Sequence, residues 1–337
     1  MPRVGTLAQS TSITPRNGVA AEAATARSRW QNVLEERRFL APALISPAVV
    51  FILLLVGGPL VLAIYLSFTN ATAGSLSGSW VGLDNFSRLW HDAIFRDAVL
   101  NTFIFTVCSQ ALVLVGAAVL SQQLIKNFRG KWILRLLILL PWAAPVALGT
   151  IGWLWIFDSL FGIVNWTLNE LHLTGVVCSL FDVSNCSAAN PPQWLGTPSL
   201  AMFAVILVHA WRILPFATVI FIAGLASIPK EVDDAAAVDG ATGLRKLVYV
   251  TLPLQLPIAI VALLFGIVFT ATDMTVVYLL TNGGPFNSTQ MLTTWAFTTG
   301  IQSGSLGEGA AVSLHLFPVL AVASVLMLLF ARRVQVT

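Results

Sequence analysis

Six long runs of this chain carry almost no charge, and they leave a bilayer as the only solvent that suits most of its length. Leu44 to Phe68, Ala98 to Leu124, Leu134 to Phe157, Leu200 to Ala223, Leu254 to Leu280 and Ala310 to Phe330 each reach the ~18 residues of a transmembrane candidate. Of the 337 residues, 57% are hydrophobic and 10% charged. A soluble domain carries roughly 25% charged residues, and so few could not cover a surface in water. Pro59, Pro141, Pro145, Pro215, Pro257 and Pro318 lie inside the runs, where neighbouring helices of a membrane bundle re-satisfy the freed backbone groups. The expected fold is therefore an all-α integral membrane protein with six transmembrane helices.

Lysine and arginine set the orientation. With the amino terminus in the cytoplasm, fifteen of the eighteen basic residues fall inside. They are Arg3, Arg16, Arg27, Arg29, Arg37 and Arg38; Lys126, Arg129, Lys131 and Arg135; Lys230, Arg245 and Lys246; and Arg332 and Arg333. Arg88 and Arg96 fall outside, and Arg212 lies within a span. Both termini are thus expected in the cytoplasm, with residues 1–40 as a polar tail and 41–337 as the membrane domain. The tail has no apolar stretch before a cleavage site, so it does not read as a signal peptide. Within it, Glu22 to Arg38 suits a basic surface helix or a disordered segment.

Two outer segments, Thr69 to Asp97 and Asp158 to Ser199, are too long to be simple turns. Trp80, Trp90, Trp166 and Trp194 near their edges suit interfacial anchoring; alternatively, these loops receive a partner from outside. Cys178 and Cys186 share the second loop, where a disulfide can persist, and sequence leaves it open whether they bond. Cys108 is a small packing residue within a span.

Between spans four and five runs Ile228 to Pro253, longer than a connection needs. Pro229 can open a helix whose first turn carries Glu231, Asp233 and Asp234, where the dipole favours negative charge. The alanines continue it, and Gly240 ends it at a position suited to positive φ. Thr242 can cap a second helix carrying Arg245 and Lys246. The product is a short helix outside the bilayer with an acidic start and a small-residue face, which a partner's backbone and arginine could approach. A well-capped solvated loop helix is the plainer alternative.

Catalytic and metal motifs are missing. The chain has no G-x-x-x-x-G-K-[ST] phosphate loop, so ATP must be handled by another subunit if it is used. His91, His172, His209 and His315 lack metal-ligand spacing, and neither H-E-x-x-H nor G-x-S-x-G occurs. Arg212 near the middle of span four and Asp273 in the outer half of span five are costly in lipid and stand out as functional candidates. Their side chains are within reach of one another along ~1.5 Å per residue of helix. They form an ion pair at a functional site, or they pair only to hold two helices together.

Asp234-Ala235-Ala236, three residues, Gly240, nine residues and Val250-Thr251-Leu252-Pro253 resemble the EAA loop of binding-protein-dependent ABC importer permeases. Asp239-Gly240-Ala241 matches as well, whereas Asp234 replaces the usual glutamate and Val250 an isoleucine. The likeness covers about Leu44 to Arg333. Val81-Gly82-Leu83-Asp84-Asn85-Phe86, Asn101-Thr102 and Leu279-Leu280-Thr281-Asn282-Gly283-Gly284-Pro285 are similar to segments of the maltose-permease-like sugar subfamily. Among sugar permeases the likeness runs to the trehalose importers of mycobacteria.

The resemblance implies a type I ABC importer permease fold in a bacterial inner membrane, with the loop helix docking on a cytoplasmic ATPase. Glu231, Asp233, Asp234, Ala235, Ala236, Asp239, Gly240 and Ala241 would carry that coupling. It places substrate contacts at Trp211, Arg212, Ile213, Phe216, Gly266, Thr270 and Asp273, which suit a neutral sugar. Arg212, Ile213 and Asp273 depart from the maltose-like pattern. The implied partners are a second permease, two ATPase copies that bind ATP and Mg, and an extracytoplasmic sugar-binding lipoprotein or periplasmic protein. No cofactor, metal or nucleic acid is expected in this chain. The rival readings are an ion-gradient-driven secondary transporter and a polytopic membrane enzyme. For the first, Asp273 is a single carboxylate; for the second, no catalytic cluster is visible. Trp153 and Trp155 point in different directions on span three and suit packing against lipid or helices.

Overall fold

A computed structural model describes residues 37–75, 78–184 and 186–335. The tail over 1–40, with its expected basic helix, lies outside the described residues as far as residue 36. The described residues form helices joined by ordered loops: α1 (Arg37–Ile52), α2 (Gly58–Ser67), α3 (Asp84–His91), α4 (Ala93–Ile125), α5 (Lys131–Ala143), α6 (Val146–Ile156), α7 (Ile163–Glu170), α8 (Thr174–Leu180), α9 (Pro198–Ala226), α10 (Lys230–Val238), α11 (Gly243–Lys246), α12 (Leu252–Ala271), α13 (Thr275–Leu280), α14 (Leu292–Phe297) and α15 (Leu306–Gln335). Among the described residues five continuous helices are long and apolar enough to cross a membrane, and α5 with α6, bent by 100°, makes a sixth if the pair counts as one span.

The chain divides into the units Met1–Leu62 and Ala63–Thr337. In the first, the apolar helix exposes its side chains from Leu44 through Val61. In water each Å² of that surface would cost about 25 cal/mol, so lipid or another protein must cover it.

In the second unit, α4, α9 and α12 make the centre. Phe105 of α4 meets the His209 ring of α9 edge-on, 4.9 Å between ring centres. Further along, Val113 and Ala117 pack with Ile213 and Ala217, and Gly116 leaves room for Leu214. The contacts advance together in both helices, so α4 and α9 run parallel. α12 runs against them: its Thr270 bonds His209, while its Gln255 Nε2 donates to the Phe221 carbonyl, 3.1 Å away. The ends at 125, 226 and 252 therefore share one side of the bundle, the side that carries Lys126, Lys131, Lys230 and Lys246.

Two expected spans are interrupted. The run from Leu134 to Phe157 is two helices bent by 100°, because Pro145 forces Ala144 out of the helical region, to φ −71° and ψ 146°. The run from Leu254 to Leu280 stops at Ala271 and restarts at Thr275. Asp273 Oδ1 accepts the Val276 amide at 3.0 Å, which caps the restart. At its other end this span is longer than expected, because α11 and a π turn at Leu247–Thr251 lead into α12 without a break.

Buried side-chain amides and hydroxyls fix the loops. Asn85 Nδ2 donates to the carbonyls of Ser67 (2.8 Å) and Thr69 (2.9 Å), which the end of α2 leaves open. Asn101 Nδ2 donates to the Gln290 carbonyl (3.1 Å), and Thr102 Oγ1 accepts the Leu292 amide (2.9 Å). The loop they hold begins with Asn282 and Gly283 in the left-handed region, at φ 51° and 81°. Of the outer tryptophans, Trp194 is not an interfacial anchor. It is buried in the loop's core beside Phe157, and its Nε1–H donates to Asn165 Oδ1 at 2.8 Å. Cys178 and Cys186 are joined by a disulfide in the same loop.

Candidate functional site

Side chains from α9, from the end of α12 with the break that follows it, and from α4 build a polar cluster at the centre of the bundle. His209 and Arg212 are three residues apart on α9 and so share a face, while Thr270 closes the last turn of α12 and Asp273 lies in the break just beyond it. Arg212 Nη2 donates to Asp273 Oδ2 in a direct ion pair. His209 Nε2 lies 2.9 Å from Thr270 Oγ1, and Gln110 Nε2 of α4 donates to the same hydroxyl at 2.6 Å. His209 and Thr270 are fully buried. The Asp273 carboxylate is 6% exposed and the Arg212 side chain 17%. Three helices are thus cross-linked at one level, and the Arg212 side chain is the most exposed member of the cluster.

Two separate groups of aromatic rings are built on the neighbours of Arg212 along α9. Trp211 meets Trp153 edge-on at 5.5 Å, and Trp153 stacks on Phe157 at 5.3 Å. Phe216 stacks with Trp142 at 6.0 Å and meets Phe265 and Phe269 edge-on. Trp211, Arg212 and Phe216 are all partly open. Partly open rings can stack on flat apolar faces, and a guanidinium on the same helix can donate to oxygens.

The other three expected contacts are buried. Ile213 packs among Val113, Ala117 and Ala217. A Cβ on Gly266 would run into the Gln110 side chain, so Gly266 serves the close crossing of α12 on α4. Thr270 is saturated by Gln110 and His209. The exposed part of the expected set is therefore Trp211, Arg212, Phe216 and an edge of Asp273, with Trp153 as a neighbour of Trp211. Trp155 is 77% exposed and points away.

The helix between spans four and five is α10. Pro229 precedes it with φ −60°, and Glu231 and Asp233 occupy its first turn. Its end is a Schellman turn: Gly240, at φ 71°, donates to the Ala237 carbonyl (3.1 Å), and Ala241 donates to that of Ala236 (2.8 Å). Lys246 Nζ reaches Asp233 Oδ1 at 2.9 Å and ties α10 to α11. Only Ala236 of the helix is buried. Glu231, Asp234, Ala235, Asp239 and Gly240 are exposed, and Val238 is 88% exposed. Several carboxylates and apolar residues thus stand on one short helix, closed by its Schellman turn, facing out of the chain.

Sequence reasoning passed over Gln110 and weighed His209 only as a metal ligand, while Trp153 packs against neighbouring helices as expected. The signal of Gln110 and His209 was present, since an amide and an imidazole are as expensive in lipid as they are rare there. Among the described residues no three His, Cys, Asp or Glu side chains converge as a metal site would require.

Residues 113–336 match the family described as binding-protein-dependent transport system inner membrane component. Over 294 residues the chain is 29% identical to the sulfoquinovosyl glycerol transport system permease protein of Agrobacterium fabrum, covering 86% of this chain and 89% of that one. Over 238 residues it is 30% identical to the trehalose/maltose transport system permease protein of Thermococcus litoralis, covering 71% and 75%. The fold matches a chain of a bacterial ABC transporter involved in the import of alginate, with a TM-score of 0.71 over 90% of this chain and 99% of that one, at 18% identity. That likeness concerns the fold alone. Helical spans, an outward-facing loop helix between the fourth and fifth of them, and the match from residue 113 to 336 agree: the chain belongs to the family of binding-protein-dependent transport system inner membrane components.

Proposed function

We propose that this chain is one of two permease subunits in an ATP-driven sugar importer of a bacterial inner membrane, with both termini in the cytoplasm. The carrying observation is that Trp211, Arg212 and Phe216 are all partly open on one otherwise apolar span, with Arg212 paired to Asp273 of the next. Aromatic faces stack on the C–H faces of sugar rings, and the guanidinium donates to their oxygens. Because Asp273 neutralises Arg212, this set suits a neutral disaccharide such as trehalose. A second permease would supply the opposite wall. The exposed face of α10, with Glu231, Asp234, Ala235, Asp239 and Gly240, would dock on a cytoplasmic ATPase, which binds and hydrolyses ATP. An extracytoplasmic sugar-binding protein would deliver substrate to the loops at 69–97 and 158–199.

The test is ATP hydrolysis by the co-purified complex with its binding protein, against trehalose, maltose, diacetylchitobiose and glycerol 3-phosphate. A neutral disaccharide should stimulate most. Arg212→Ala should raise the half-saturating concentration about thirtyfold, as expected for one lost bond to a charged group. Unchanged saturation with every sugar in Arg212→Ala would overturn the assignment of the path.

A further inference from the structure

The two nitrogens of the buried His209 ring have unequal surroundings. Nε2 meets Thr270 Oγ1 at 2.9 Å. Nδ1 has no hydrogen-bond partner, yet it stands 3.7 Å from Asp273 Oδ2, the oxygen that already holds Arg212. In the neutral ring one nitrogen donates and the other accepts. A lone pair on Nδ1 facing the carboxylate would be repelled, so the hydrogen sits on Nδ1. Nε2 then accepts the Thr270 hydroxyl, whose oxygen in turn accepts from Gln110 Nε2. The buried, unused donor is aimed at an acceptor that is occupied.

The ion pair itself is lopsided. Asp273 is anchored by the Val276 amide at Oδ1 (3.0 Å) and through its own carbonyl by Thr293 Oγ1 (3.1 Å). Arg212 is more exposed than its partner, and its Nε is unpaired. Of the two, Arg212 is the one free to leave. When it does, a buried carboxylate without a partner would be costly. A shift of less than about 1 Å brings His209 Nδ1 within hydrogen-bond distance of Oδ2.

We propose that His209 is a standby donor to Asp273: it takes over the carboxylate when Arg212 turns to a substrate oxygen, and so lowers the cost of substrate capture. This rests on reading Arg212 as a sugar contact. His209 is thus a positioning residue that acts through Asp273 without touching the sugar.

The experiment uses the full chain, purified with its partner subunits and labelled with ¹⁵N-histidine, the His209 signal being assigned by its loss in His209→Asn. In the wild type Nδ1 should be protonated and Nε2 bare. In Arg212→Gln the Nδ1 proton should move downfield as its bond to Asp273 closes. An Nε2-protonated ring in the wild type, or no shift in Arg212→Gln, overturns the proposal. A second arm measures KM for uptake of the best-stimulating sugar of the panel above. Asparagine places its amide nitrogen where Nδ1 stands, and glutamine places its own near Nε2. His209→Asn should keep KM within about threefold, while His209→Gln should raise it about tenfold. Equal loss in both, or a better glutamine variant, is the pattern of a mere brace to Thr270 and overturns the proposal. If Arg212→Gln does not accumulate, the uptake arm decides. If Arg212→Ala changes no KM, the sugar assignment has failed, and the spectra still decide whether the standby contact exists.

Discussion

Gly240 offers a perturbation whose effect is confined to the backbone. It closes α10 at φ 71°, and a Cβ there would meet nothing within 4 Å. Alanine at this position therefore pays only for the left-handed conformation, about 1 kcal/mol. Asparagine, which visits that region readily, costs a few tenths. Valine, β-branched, costs more than alanine. One kcal/mol is about a fivefold change in the ratio of closed to frayed helix end. The frayed end loses both Schellman bonds, those from Gly240 and Ala241 to Ala237 and Ala236. The expected order for sugar uptake per ATP hydrolysed, at equal membrane levels of the chain, is Gly, Asn, Ala, Val. The assay is paired measurement of uptake and hydrolysis in vesicles holding the complex. Side-chain size would give a different order: if a partner surface pressed directly on Gly240, asparagine would be worse than alanine. An alanine variant that outperforms asparagine refutes the conformational argument.

Two further outcomes follow from the loops. Asn85→Ala leaves the Ser67 and Thr69 carbonyls without their donor, a loss of about 2 kcal/mol. It should lower the melting temperature of the detergent-solubilised chain, and Asn85→Asp, which cannot donate when ionised, should not restore it. Cys178→Ser opens a cross-link between positions eight apart, worth about 2.5 kcal/mol by loop-closure entropy. Limited proteolysis should then cut the outer loop near α8, while the wild type resists until reduced.

The parts of the fold that sequence made legible are those specified locally. Apolar runs gave the spans because a bilayer imposes length and composition on each helix separately. The α10 helix could be read from Pro229, its acidic first turn and Gly240, all within twelve residues. The breaks at Ala144 and Asp273 were not read, although Pro145 carries the first of them by local sterics. The site was legible only in part, because the side of a helix that a residue faces depends on rotation set by packing. Ile213 lies next to Arg212 in sequence yet points into the core. Gly266 and Thr270 share a helix with Phe265 and Phe269 but meet Gln110 instead of the aromatic rings. His209 appeared as a lone histidine because its partner Thr270 is 61 positions away, and Gln110 is 160 positions from the same hydroxyl.

The two candidate sites share their supporting helices. α9 carries Arg212 and runs through Ser227 to Pro229 into α10; α11, held to α10 by Lys246 and Asp233, runs on into α12 and so to Asp273. A push on α10 is therefore delivered to both helices whose far halves meet at the ion pair. Between the two ends, α9 and α12 are joined by Gln255 to the Phe221 carbonyl and by His209 to Thr270, while Gly224 sits against Ile258 with little space to spare. Interfaces packed this closely change by discrete steps, since interiors do not compress smoothly. Under the proposed function, the contact most easily exchanged in such a step is the exposed one, Arg212 to Asp273. The buried bond of Gln110 to Thr270 then acts as the fixed frame, on which the His209 ring can shift. ATP-driven movement at α10 would thus be felt by the sugar through the single charged side chain that faces it.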